Sequence, residues 1–473
     1  MSNGKEFHKK IDLNCNSGIS SVILTDNYAF TGLIGEGSNV NVYNYKKLDE
    51  NIKNYEHYTP DYILENNHGG ISKLVISPCK NLILGVTCYG WIYIWDISVL
   101  PNVNDVNGSI NNDEGKIIKP KISFVNNHPG DSICVDFINS NIIVTAGINP
   151  GYSISFISVK TGRRIAQYIS RKNELSGLAW PFYFKTEEKD PKDNNNVGDP
   201  NSSVNNNLEL AIYFFTNIAI ERSSSSGGCW IALGSTNGFV TVIYLPCIVI
   251  NKIEKYVEER NSTDNGNNVS EDELQLKGSD ILWKCQQISE LPTEIRSLSW
   301  RPRNISSNNN STGSNSNSIC LVCGTCDSLL RYCFIETEDK EIIIKKINLV
   351  KITDGTSNSS EINSISFPQN SGHNSSSMIA IAFNKLSSSK RHPILVSSDN
   401  SNKKIQSFSS FNVYLQDIIP VLNNSNNNGG SAMQTYFYCI GIHNDLITCV
   451  FISPCCNYIA SSSLDGHLHI YTR

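Results

Sequence analysis

Three stretches far apart in the chain repeat one order of events. Residues 68–96 ("HGGISKLVISPCKNLILGVTCYGWIYIWD"), 128–156 ("HPGDSICVDFINSNIIVTAGINPGYSISF") and 443–471 ("HNDLITCVFISPCCNYIASSSLDGHLHIY") each open on a His. Each then runs through a β-branched strand, a turn, a second strand ending in small residues, a tight turn and a third strand. The phrase Ile-Ser-Pro-Cys-x-Asn-x-Ile occurs at Ile76–Ile83 and again at Ile452–Ile459. A unit this small cannot bury its own apolar face alone, so copies must stack on one another.

Weaker copies fill the rest of the 473 residues, at 19–45, 174–245, 294–335 and 361–415. Seven units result, at about 14–66, 67–126, 127–172, 173–291, 292–350, 351–442 and 443–473, the last joined by 5–13. In the fourth, "ELSGLAW" at 174–180 reads as the first strand. Asn- and Ser-rich tracts at about 185–207, 254–277, 303–318 and 423–434 interrupt the copies. They hold too little apolar surface to order themselves and read as disordered insertions in surface loops. With 18% charged residues and a net charge of −5, the chain has no bulk attraction to nucleic acid or an anionic membrane. The start, "MSNGKEFHKK", lacks an apolar core, and no run reaches membrane-spanning length. The fifteen cysteines are scattered at strand positions and read as reduced and mostly buried. The expectation is a soluble protein, cytoplasmic or nuclear, without membrane insertion.

These units resemble WD repeats. The family opens on Gly-His, carries Ser-Pro-Asp-Gly between its first two strands and Asp-Gly in the next turn, and closes on Trp-Asp. Only Trp95-Asp96 matches that ending literally. The resemblance implies an all-β fold: one seven-bladed β-propeller of four-stranded antiparallel blades. The last unit supplies three strands before Arg473, and residues 5–13 ("KEFHKKIDL") have strand length. They are expected to complete the last blade and cover its open edge. The family's structural hydrogen-bond tetrad falls on His443, Ser463, Asp465 and Tyr471. In the second unit His68, Thr87 and Trp95 match, but Tyr89 stands where the Asp should be; in the third, His128 lacks its Asp.

Other motifs invite chemistry. "CLVCGTC" (320–326) resembles a metal-ligand run, but neighbouring strand residues point to opposite faces, so Cys320 and Cys323 should diverge. Arg163-Arg164 resembles half of a phosphoinositide motif whose flanking aromatic and Gly are missing. No nucleotide loop or activated nucleophile is visible. The expectation is therefore no catalytic residue, no metal, no cofactor and no small-molecule substrate.

The expected function is a non-catalytic scaffold: a monomeric propeller that docks protein partners within a hetero-complex. An alternative is a transcription or chromatin subunit. The order "GLAWP", "IALGSTNGFVTVIYLP", "SLSWRPRN" resembles the propeller subunit of the RNA polymerase III assembly factor complex. A ubiquitin-ligase substrate receptor is disfavoured by Ser98, where Arg is usual after Trp-Asp. A propeller-based enzyme would need acids, bases or His converging on the channel. By strand order the insertions at 185–207, 303–318 and 369–377, with 246–280, should crowd one face. The opposite face, with its short second-to-third turns, should bind partners through Glu36, Tyr89, Thr236, Cys326 and Leu464.

Overall fold

Seven four-stranded antiparallel sheets form a ring in a computed structural model. It describes residues 7–35, 39–48, 58–101, 116–125, 134–147, 153–169, 215–222, 227–236, 238–262, 274–276, 281–289, 293–301, 319–338, 341–352, 360–368, 378–385, 410–417 and 437–473. The molecule is a seven-bladed β-propeller. From the inner strand outward, blade 1 is Ile19–Leu24, Tyr28–Leu33, Val40–Asn44 and Tyr62–Leu64; blade 2 is Ile71–Ile76, Leu82–Thr87, Trp91–Asp96 and Ile122–Val125. Blade 3 is Val135–Phe137, Ile142–Gly147, Ser153–Ser158 and Arg164–Ile169; blade 4 is Phe215–Arg222, Cys229–Ser235, Phe239–Leu245 and Leu282–Gln287. Blade 5 is Ile295–Trp300, Ile319–Thr325, Leu329–Glu338 and Glu341–Lys351; blade 6 is Ser360–Ser366, Met378–Lys385, Ser410–Asp417 and Phe437–His443. Blade 7 is Ile447–Ile452, Tyr458–Ser463, His467–Thr472 and, from the other end of the chain, His8–Asn14.

That last strand closes the ring as the sequence suggested. His8 pairs with Thr472, Asp12 with His469 and Asn14 with His467. Ile11 and Leu13 are 1% exposed and share a core with Val22, Leu24 and Tyr43 of blade 1 and Ala460, Leu468 and Ile470 of blade 7. The closing strand is therefore held by a ladder and by apolar burial together.

The inner strands share a device. In every blade but the third, the ladder slips by one residue just after the strand's first Ile or Phe. The residue left unpaired is always polar: Ser20, Ser72, Thr216, Arg296, Asn363 or Thr448. At four seams its side chain donates to a carbonyl of the next blade: Ser20 to Ile71 at 2.5 Å, Thr216 to Ile295, Asn363 to Ile447 at 3.2 Å and Thr448 to Ile19 at 2.7 Å. Hydroxyls further along return the favour. Ser21, Ser297, Ser364 and Ser366 accept the N–H groups of Leu74, Ile365, Val450 and Ile452 of the neighbouring blade. Inner edges that a sheet would leave unpaired are thus stitched blade to blade.

Two features depart from the sequence reading. The inner strand of blade 4 is Phe215–Arg222, not "ELSGLAW", which lies outside the described residues. The tract at 185–207 therefore belongs to the link between blades 3 and 4 and not to a first-to-second strand loop. The tract at 254–277 begins inside a helix, α1 (Cys247–Ser262). Val249, Ile250, Ile253 and Val257 recur at helical spacing and pack into a core with Ile138, Ile142 and Ile165 of blade 3. Downstream, Leu274–Gln275 adds a parallel fifth strand to blade 3, as Lys116–Ile118 does to blade 1. The tracts at 303–318 and 423–434 lie outside the described residues.

Candidate functional site

Strand order puts the second-to-third turns and the blade-to-blade links on one face of the ring. On that face three exposed apolar side chains stand on consecutive blades: Leu464 of blade 7 (37% exposed), Ile34 of blade 1 (40%) and Tyr89 of blade 2 (60%). Glycines pave the ground between them. A Cβ on Gly18 would stand 3.3 Å from the Leu464 carbonyl oxygen and 3.5 Å from Ile34 Cδ1. Gly69 sits under the Tyr89 ring at φ +75°, where a side chain would be strained and would overlap the ring. The turns at Tyr89-Gly90 and Asp465-Gly466 are short, and both glycines take positive φ.

The other residues expected on this face fare differently. Cys326 is half-buried, with Arg296 Nε donating to its sulfur at 3.3 Å. Arg296 in turn pairs with Glu294 at 3.0 Å and approaches Glu361 at 3.8 Å, so Cys326 belongs to a charged cluster at the blade 5–6 seam and not to an open surface. Thr236 is half-buried and Glu36 lies outside the described residues. Nor is the face bare throughout: the long connections at 170–214, between blades 3 and 4, and 386–409, between the second and third strands of blade 6, both start and end on it. Its second-to-third turns are short in blades 4 and 5 as well, and it is on the arc of blades 7, 1 and 2 that the exposed apolar side chains stand.

The tetrad forms with one member changed. His443 Nε2 lies 2.7 Å from Ser461 Oγ, which lies 3.3 Å from the Tyr471 hydroxyl; His443 Nδ1 faces Asp465 Oδ2 at 3.4 Å. Ser463, the residue expected there, donates to the Asp445 carbonyl and accepts the Asp465 N–H, so it caps the turn. Thr87 likewise accepts the Trp91 N–H. Ser461 is four residues before the Asp, on the strand face turned to His443; Ser463 and Thr87 are two before the turn position. In blade 2 Gly85 takes the Ser461 position, against the Trp95 ring. His68 therefore bonds to the Tyr93 hydroxyl and stacks on Trp91 with ring centres 3.8 Å apart, while Trp95 donates to the Glu65 carbonyl at 3.1 Å. His128 lies outside the described residues. In blade 5 a buried arginine supplies the equivalent anchor: Arg331 pairs with Asp327 and donates to the Ile288 carbonyl at 3.0 Å.

Behind the face runs a central cavity of about 1160 Å³ lined by all seven inner strands. Among the described residues no His lines it, and the acids that do are Asp136, Glu221 and Glu294. Asp136 accepts the Phe137 N–H at 2.7 Å, and burial pushes its carboxyl up against the pull of Lys73 and Arg222. Arg222 donates to the Phe137 carbonyl at 2.7 Å and to that of Ile138, serving the short inner strand of blade 3. Lys73 donates to Asn217 at 3.3 Å. Among the described residues, the cavity does not bring together the His, acid and hydroxyl that a triad needs. The Cys-rich strand is also spread apart: Cys320 faces the core between blades 5 and 6, Cys323 that between blades 4 and 5. Burial pushes the Cys320 thiol up to about 12 and Cys323 well above its ordinary value. Arg163 and Arg164 flank the start of an outer strand of blade 3.

No protein-family profile matches this chain, and no curated protein matches it. Among solved structures, the crystal structure of the Myceliophteria thermophila Cps50 (Swd1) beta-propeller domain superposes with a TM-score of 0.50 at 11% identity, over 99% of this chain and 100% of that one. The similarity is one of fold. Among the described residues, no helix is long and apolar enough to cross a membrane.

Proposed function

We propose that this propeller is a divergent WD-type scaffold without catalytic activity, and that it docks a protein segment on the arc of blades 7, 1 and 2. One observation carries the reading: Leu464, Ile34 and Tyr89 form an exposed apolar ridge over a glycine floor on three consecutive blades of that face. An aromatic anchor standing on a rigid scaffold, with neighbours that exclude water, is the usual core of a protein interface. The partner's chemistry follows: a segment that offers apolar side chains to the ridge. The cavity lends the enzyme reading no support: Asp136 accepts a backbone N–H and Glu294 pairs with Arg296.

The test is partner recovery from the native cells with full-length protein and a Tyr89→Ala, Leu464→Asp double variant. Both changes lie on exposed turn residues, so the melting temperature should stay within a few degrees. A discrete set of proteins should co-purify with the parent and be lost with the variant. Unchanged recovery with a folded variant would move the function off this arc.

A further inference from the structure

The seam that closes the ring holds a second constellation. Asp12, on the N-terminal strand, lies directly across the ladder from His469, with His467 one pleat away on the same sheet face. Asp12 Oδ1 stands 2.7 Å from His467 Nδ1 and 3.3 Å from His469 Nε2, and the three donor atoms all lie within 4.8 Å of one another. A tetrahedral zinc ion with bonds of about 2.0–2.1 Å holds its donors roughly 3.4 Å apart. No separation need change by more than about 1.4 Å to reach that spacing, a shift shared between two side chains.

We propose that Asp12, His467 and His469 form a binding site for a divalent transition ion of the zinc class, bridging the first and last strands of the ring. Two imidazoles and one carboxylate are the donor set such ions prefer over magnesium or calcium. Three protein donors leave a fourth position toward solvent, since His467 and Asp12 are each about one-third exposed. Behind the site, the His469 ring is positioned. It stacks on His443 at 3.9 Å, and its Nδ1 lies 3.4 Å from the Tyr471 hydroxyl. That contact continues through Ser461 to His443, so the tetrad of blade 7 forms the outer shell that orients a metal-binding imidazole.

Lys9 shows why the seam holds without metal. Its ammonium lies 2.7 Å from Asp12 Oδ2 and 3.1 Å from His469 Nε2. An ammonium can only donate, so His469 presents an Nε2 lone pair to a cation and carries its proton on Nδ1. Lys9 is the resident cation of the site, and a metal ion must displace it from His469. Binding through Nδ1 moves the His467 proton to Nε2.

Zinc chloride alone, titrated calorimetrically into untagged, reduced, full-length protein, is the probe. One equivalent should bind and raise the melting temperature. His467→Gln should abolish both effects, and Lys9→Met should tighten binding about tenfold, the range in which outer groups tune metal sites. Cobalt(II) should show d–d bands without thiolate charge transfer, which separates this site from the exposed Cys79, Cys88, Cys439 and Cys455. No saturable binding to the parent protein, or binding that His467→Gln and Lys9→Met both leave unchanged, would overturn the proposal and leave an ion-pair clasp.

Discussion

Arg331 illustrates how a divergent repeat keeps its anchors. It is 3% exposed, pairs with Asp327 across one turn and gives its remaining donors to Thr325 and the Ile288 carbonyl. A buried charge keeps its place only while its partners remain, and removing one partner of such a pair costs about 3 kcal/mol. Asp327→Asn should therefore lower stability by about that amount at neutral pH, read by urea unfolding. Partial burial pushes Asp327 up, but the hydrogen bonds from Arg331 and Thr325 outweigh it and hold it below its ordinary range. The folded protein thus binds this proton more weakly than the unfolded chain. The pair contributes fully above the unfolded carboxylate value of about 3.9, and its contribution fades as pH falls through and below that point. The gap between parent and variant should narrow correspondingly in acid; a gap constant with pH would assign the loss to packing. At this scale the sequence was only partly legible. His443, Asp465 and Tyr471 could be placed by turn and strand position. Ser461 and Ser463 both fit as hydroxyls on the same strand face, and only their distance from the turn separates the tetrad member from the cap. The Asp12–His467–His469 group could not be read: the pairing of the first and last strands was expected, but the register that sets Asp12 opposite His469 was not.

Strands with β-branched alternation were visible wherever turn residues bounded them, and helix α1 was not. Its apolar residues at 249, 250, 253 and 257 follow helical spacing, but the Asn-rich tract that follows masked the period. The inner strand of blade 4 was missed for a related reason: "ELSGLAW" matches the inner-strand phrase better by composition. The signal that identifies "FTNIAIE" is the Ile-or-Phe, polar, polar opening shared with "ISS", "IRS" and "INS", which the blade-to-blade stitching requires. α1 seals the outer side of blade 3, where Ile253 is 1% exposed and Ile248 is 77% exposed. Ile253→Ala should cost about 2–4 kcal/mol through the lost burial and the cavity left behind, whereas Ile248→Ala should stay within about 0.5 kcal/mol. Thermal unfolding of the two variants checks this. Equal, small losses would mean that α1 does not pack on the blade.

At the scale of the molecule, the ring was the most legible property, because seven copies of a unit that cannot stand alone leave few closed arrangements. The His8–Asn14 strand completes blade 7 and puts Ile11 and Leu13 into the core shared by the first and last blades. A closed ring of stitched blades moves little, so it presents its turns as a fixed surface. The long connections at 170–214 and 386–409 begin and end on the same face but leave the arc of blades 7, 1 and 2 with short turns. That arc carries Leu464, Ile34 and Tyr89, and the account assigns docking to it. Val99, 67% exposed in the third-to-fourth strand connection of blade 2, lies on the opposite face of the same blade and makes a matched control. The most direct measurement is photocrosslinking in the native cells with p-benzoylphenylalanine placed at Tyr89 in one protein and at Val99 in another. The account predicts a discrete protein adduct from position 89 and none from position 99; an adduct from 99 with none from 89 would contradict it.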